Sequence, residues 1–113
     1  MNRSRIAAIS VAGAVALASA AAAGAGLSDK SAMDLMAKAG CTACHSVDKK
    51  GVGPAYKEVA KKRKGEKDAV AVLEKRVRSG GAGVYGPIPM PPNPKEKISD
   101  KDLHEMVEWV LRR

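Results

Sequence analysis

Two cysteines three positions apart, followed at once by a histidine, limit what this chain can become: Cys41-Thr42-Ala43-Cys44-His45. They are the only cysteines among 113 residues, so none is left for a structural disulfide. C-x-x-C-H is the spacing of covalent haem attachment. Each thiol adds across one haem vinyl group to form a thioether, and the next residue, His45, is then held beneath the iron as its proximal ligand. Two other chemistries use a close cysteine pair. A redox dithiol needs a βαβ setting, and no strand pattern flanks this one. A structural zinc site needs four Cys or His ligands. Only Cys41, Cys44, His45 and the distant His104 are available, and Cys44 and His45 are adjacent. Haem attachment alone uses every residue of the motif.

The first 25 residues read as a secretory leader. Arg3 and Arg5 form a positive start, Ile6 to Ala18 is apolar and alanine-rich, and small residues continue to Ala25. Ala21-Ala22-Ala23 and Ala23-Gly24-Ala25 both fit a small-x-small cleavage rule, which places the cut after Ala23 or Ala25. An uncleaved anchor is the rival reading, but alanine and glycine make the stretch weakly hydrophobic for a span. Export implies a periplasmic protein. The remaining domain, residues 26–113, is small enough to need a staple. It has no phenylalanine, one tryptophan and two tyrosines, so bulky filler is scarce. A flat haem would supply the missing core.

The formal charge is +8, and the leader holds two of the cations and no acid. Nucleic-acid binding is disfavoured by export, scarce aromatics and the lack of a recognised motif. A basic surface instead steers a protein toward acidic partners or, at most peripherally, an anionic membrane.

Helical periodicity recurs along the mature region. Ser28 is a candidate N-cap, with Ala32, Leu35, Met36 and Ala39 forming one stripe and Gly40 as the stop. Asp48 to Gly53 is a polar, glycine-punctuated loop. From Pro54 a short helix carries Tyr56, Val59 and Ala60 on its buried face. It runs into the cations Lys61-Lys62-Arg63-Lys64, which read as a solvated helix end beside the negative pole, with a partner-docking patch as the alternative. A third helix is expected from about Lys67 to Ser79, stopped by Gly80-Gly81. Ser99 and Asp102 form a capping-box variant before a last helix striped by Leu103, Met106, Val107, Val110 and Leu111. No strand pair is visible, so the fold class is all-α.

A haem iron also has a distal position. The candidates are Met33, Met36, Met90, Met106 and His104. Met33 and Met36 lie on the helix entering the motif, Met106 belongs to an apolar stripe, and His104 points off that stripe. Met90 stands between Pro89 and Pro91 in a run of five prolines that forbids helix and stiffens the chain. A thioether binds ferric iron weakly and needs such support. Its rival role is to cover an apolar gap. His/Met ligation favours ferrous iron and leaves no open position, which suits electron transfer better than catalysis.

With the motif, Gly51-Val52-Gly53-Pro54-Ala55-Tyr56 and Gly86-Pro87-Ile88-Pro89-Met90-Pro91-Pro92-Asn93 together, the mature region resembles small bacterial class I c-type cytochromes of the cytochrome c-551 type. The resemblance implies a class I cytochrome c fold, about four short helices wrapped around one covalently attached haem c, with the first and last helices crossing. It implies that Met90 is the distal ligand and that the Pro54 carbonyl accepts a hydrogen bond from His45 Nδ1. It assigns Arg76 and Tyr85 to a haem propionate and Asn93 to support of the methionine. Two positions depart from the pattern: Tyr85 replaces a common tryptophan, and Met36 a common aromatic. The implied role is that of a soluble monomeric electron carrier, not an enzyme. Its partners would be redox proteins such as a cytochrome-reducing complex and a terminal reductase or oxidase. The alternative is a haem enzyme or gas-sensing domain with a labile distal Met90.

Replacing both Cys41 and Cys44 should leave much of the chain unfolded, because the haem completes the core. Far-ultraviolet circular dichroism checks this, and a compact, fully helical product would contradict it.

Overall fold

Four helices and one 3-10 turn make up the regular structure of the computed structural model, which describes Gly13 and residues 26–113. Apart from Gly13, the expected leader and its cleavage point lie outside the described residues. Helix α1 spans Asp29–Ala39, the 3-10 turn Cys41–Ala43, α2 Tyr56–Lys62, α3 Ala69–Ser79 and α4 Asp100–Leu111. The all-α class stands. No helix among the described residues is long and apolar enough to cross a membrane.

Local chemistry sets the ends of α1 and α4. Ser28 Oγ accepts the Ser31 N–H at 3.1 Å, and Ser99 Oγ accepts that of Asp102 at 3.1 Å. Gly40 closes α1 in the left-handed region, its N–H returning to the Ala37 carbonyl at 3.1 Å. The thiol motif therefore begins where α1 ends.

Two helix starts differ from the sequence expectation. Helix α2 begins at Tyr56, because Pro54 and Ala55 precede the helix and Ala55 is extended. The N–H groups of Tyr56 and Lys57 donate to the carbonyls of Ser46 and Val47 at 2.9 and 3.1 Å. Loop backbone thus takes the place of a side-chain cap. Helix α3 begins at Ala69, since Asp68 takes the capping position and leaves Lys67 in the preceding turn. No strand forms among the described residues, as expected, and the one pairing between extended segments is minimal. Gly81 and Met90 form an isolated antiparallel bridge.

Helix α4 packs against each of the other three helices. It buries Leu103, Met106, Val107, Trp109 and Val110, while α1 contributes Ala32, Met36 and Ala39. Leu111, expected on the buried stripe, is only half-buried, whereas Trp109 is 1% exposed. Its indole N–H explains this, donating to Asp29 Oδ1 at 3.0 Å and so tying α4 to the start of α1. Arg113 donates to the same oxygen at 2.9 Å and lies 4.0 Å above the indole. The Tyr56 ring meets the indole edge-on, with centroids 6.0 Å apart. One tryptophan thus joins α1, α2 and α4. On the outer surface His104 bridges Glu74 of α3 at 2.7 Å and Glu108 at 3.2 Å, and those carboxylates raise its pKa.

Trp109→Ala should destabilise the haem-loaded protein by about 3–5 kcal/mol. Trp109→Phe, which keeps one aromatic ring but loses the hydrogen bond to Asp29 and part of the buried volume, should cost less, about 1–3 kcal/mol. Denaturant unfolding of both variants checks the pair, and equal costs would mean that packing on Tyr56 contributes little.

Candidate haem site

A cleft opens beside the junction of α2, α3 and α4. Val59, Leu73, Val77, Met106, Val107 and Val110 line this cleft of about 280 Å³, with the residue 50–54 and 81–91 loops forming the rest of its wall. Cys41, Cys44, His45 and Met90 all face this space. So do Pro54, Arg76 and Tyr85. Asn93 is not in the wall but lies behind it, 5% exposed. Of the other distal candidates, Met106 lines the cleft floor, whereas Met33, Met36 and His104 do not. The large exposed apolar side chains among the described residues, Val52, Val84 and Ile88, all sit on its wall. Apolar surface left bare at one place marks a contact to be made.

At the motif, the 3-10 turn carries Cys41 and leads to Cys44, both partly buried. Burial pushes the Cys41 thiol up, against the charge of Lys97. A redox dithiol works by the opposite shift, a lowered pKa that favours thiolate. His45 is held from three directions. Its Nδ1 lies 2.8 Å from the Pro54 carbonyl oxygen. A carbonyl only accepts, so Nδ1 carries the proton and the Nε2 lone pair is left free for a metal. The Tyr56 ring stacks on the imidazole, centroids 5.4 Å apart and planes 21° apart. Gly53 presses from the third side: a Cβ there would lie 2.5 Å from His45 Cε1.

Met90 is held by backbone as well as by proline. Between Pro89 and Pro92 it has the only N–H, and that group donates to the Gly81 carbonyl at 2.9 Å. The Gly81 N–H returns to the Met90 carbonyl at 3.0 Å. This approach needs Gly80, which has φ +66° and where a Cβ would lie 2.3 Å from the Met90 oxygen. Behind the loop, Asn93 Nδ2 donates to Val77 O at 3.1 Å and Pro91 O at 3.0 Å. Arg78 adds bonds to the carbonyls of Asn93 at 3.1 Å and Ile98 at 2.8 Å, and to Asp100 Oδ1 at 2.6 Å.

Comparison with known proteins decides what the cleft belongs to. The family model described as cytochrome c matches residues 13–113. The chain is 47% identical over 79 residues to cytochrome c2 of Rubrivivax gelatinosus, covering 70% of this chain and 93% of that one. It is 49% identical over 77 residues to cytochrome c-551 of Pseudomonas aeruginosa, covering 68% and 71%. The crystal structure of wild-type Nitrosomonas europaea cytochrome c552 superposes with a TM-score of 0.66 at 42% identity, covering 71% of this chain and 96% of that one. The chain belongs to the cytochrome c family.

As a cytochrome c it carries one covalently bound haem c and has the cytochrome c fold. The cleft suits that group, with an apolar floor, two thiols at one wall and unpartnered polar atoms elsewhere. Two residues at the site of this cytochrome escaped sequence reasoning. Arg78 was given no role, and nothing in the sequence shows that it reaches Asn93 and Ile98 in the loop and Asp100 at the start of α4. Arg63 was placed in a solvated charge run, yet its side chain is only 16% exposed and lines the cleft. Its signal was positional: it continues the Tyr56, Val59, Ala60 stripe at i+7.

Asn93→Ala removes two hydrogen bonds from a buried amide and should lower thermal stability by about 1–3 kcal/mol. Lys95→Ala, which removes an exposed ion pair on the same loop, should cost less than about 1 kcal/mol. Equal losses in paired calorimetric scans would mean that the buried amide does not anchor the loop.

Proposed function

We propose that this cytochrome is a soluble, monomeric periplasmic electron carrier whose haem iron is ligated by His45 and Met90. The observation that carries the reading is that one cleft gathers both side chains with both thiols, although Met90 lies far from the motif in sequence. Cys41 and Cys44 tether the group. His45 offers Nε2 because its other nitrogen is engaged by Pro54. Met90 offers a thioether from a segment fixed by Gly81, Asn93 and Arg78.

The bound haem supplies an iron that gains or loses one electron. The surrounding residues would hold that iron in one setting through the change. A thioether opposite an imidazole stabilises ferrous iron and raises the potential. Because the two ligands come from stiffly supported segments, little of the chain must rearrange when the charge changes. Were His45 and Met90 both to hold the iron, no position would remain for substrate, in keeping with a non-enzymatic role. Curated relatives bear the names cytochrome c-551, c-552 and c2.

Export follows from the leader over residues 1–25, with cleavage after Ala23 or Ala25. Lysines near the cleft mouth, Lys50 in its wall among them, would steer acidic redox partners such as a cytochrome-reducing complex and a terminal reductase or oxidase.

Visible spectra of the exported holoprotein and of Met90→Ala provide the test. The wild type should show sharp reduced c-type bands and, when oxidised, a weak far-red sulfur-to-iron band. Met90→Ala should keep its haem, lose the far-red band and bind carbon monoxide rapidly when reduced. An unchanged variant spectrum would remove Met90 from the iron, and rapid carbon monoxide binding by the wild type at neutral pH would favour a sensor or enzyme.

A further inference from the structure

Arg63 and Tyr85 meet at the cleft with hydrogen-bonding capacity left over. Arg63 follows the last residue of α2, and its Nη1 pairs with Glu66 at 3.2 Å. Its Nε is buried and has no hydrogen-bond partner among the described residues, and the same holds for Tyr85 Oη. The two groups are close enough that Arg63 opposes the upward push of burial on the Tyr85 phenol. Lys62 lies 5.7 Å from the centre of the same ring. Tyr56 Oη is the third such unpartnered buried side-chain atom among the described residues, and it sits near Cys41, at the tethering wall.

An Arg Nε–H can only donate, and a phenol hydroxyl donates one proton. If each served the other, a donor would still be left over. A buried donor left unpaired is costly, so the pair calls for an acceptor from the cleft. Haem c is apolar around most of its periphery, and its two propionates are its acceptors. The resemblance to c-551-type cytochromes assigns Arg76 and Tyr85 to a propionate and gives Arg63 no role.

We propose that Arg63, through its Nε–H and beside Tyr85, binds a haem propionate and thereby holds the reduction potential up. Ferric haem carries one more positive charge than ferrous haem. A fixed cation close to the group disfavours the ferric state, more strongly in a cleft than in water. Glu66 leaves that charge in place by bonding Nη1 from the far side of the fork. The inference needs haem in the cleft and does not need Met90 on the iron.

The test uses the haem-loaded protein. Spectroelectrochemistry of R63Q should show a fall in potential, about tenfold in the ferric-to-ferrous ratio, which is 59 mV for one electron. E66Q should not lower the potential. The double variant R63Q/E66Q restores the wild-type net charge and should still lie below the wild type, because the propionate has lost its partner. An unchanged potential in R63Q, or a return of the double variant to the wild-type value, would overturn the proposal. Nuclear magnetic resonance of the ferrous wild type provides a check independent of any variant's folding. The Arg63 Nε–H should exchange slowly with solvent and show cross-peaks to propionate methylenes, and a freely exchanging signal without them would overturn the assignment.

Discussion

Helices α2, α3 and α4 meet beside a cleft whose loop wall leaves Val52, Val84 and Ile88 bare, and the rest of the structure follows from this. Val59, Leu73, Val77, Met106, Val107 and Val110 are counted in the core of the fold, yet the same side chains line the cleft. With no phenylalanine and a single tryptophan already committed to the joint of α1, α2 and α4, no bulky side chain remains to fill the gap. Apolar area left in water forfeits roughly 25 cal/mol per Å². A covalently held haem removes that loss permanently, since the tether prevents the filler from dissociating. On the proposed reading the haem would be structural as well as functional, and thioethers at Cys41 and Cys44 would serve both roles.

Support for the two axial candidates is built from unlike materials. His45 is fixed by a hydrogen bond, a stacked ring and a glycine too close to permit a side chain. Met90 is partly buried against the core, on a loop with an exposed rim, and is fixed chiefly through its backbone. Proline removes the competing N–H groups, Gly81 pairs with the one that remains, and Asn93 with Arg78 pins the next turn to α3. Both solutions confine a ligand without placing bulk where the porphyrin must lie. This is why glycines and prolines, usually marks of loose chain, surround the most constrained atoms of the molecule.

Much of this was legible in sequence. The motif, the capped ends of α1 and α4 and the proline-framed methionine each rest on interactions between residues close in the chain, so pattern alone recovers them. The start of α2 was misplaced because its first N–H groups are taken by Ser46 and Val47, a loop contact with no sequence signature. The Gly81–Met90 bridge was missed because a bridge of one residue pair has no alternation to read. Trp109 was passed over because burial of an indole depends on a distant acceptor, Asp29. Arg63 was misread because composition outweighed position: three lysine neighbours suggested solvent, while its place one turn beyond Ala60 put it on the buried face.

That misreading separates two kinds of positive charge that net charge alone merges. Lysines such as Lys57, paired with Asp48 at an exposed site, act through water and are screened over about 8–10 Å at physiological salt. Their reach extends outward, to the encounter with a partner. Arg63 is shielded from that screening by its burial, and its reach extends inward, to the group in the cleft. On the proposed reading, a basic carrier would meet its redox partners with one set of charges and set its redox balance with another. Changes to the surface set then alter how fast it finds a partner while leaving unaltered the energy at which it exchanges the electron.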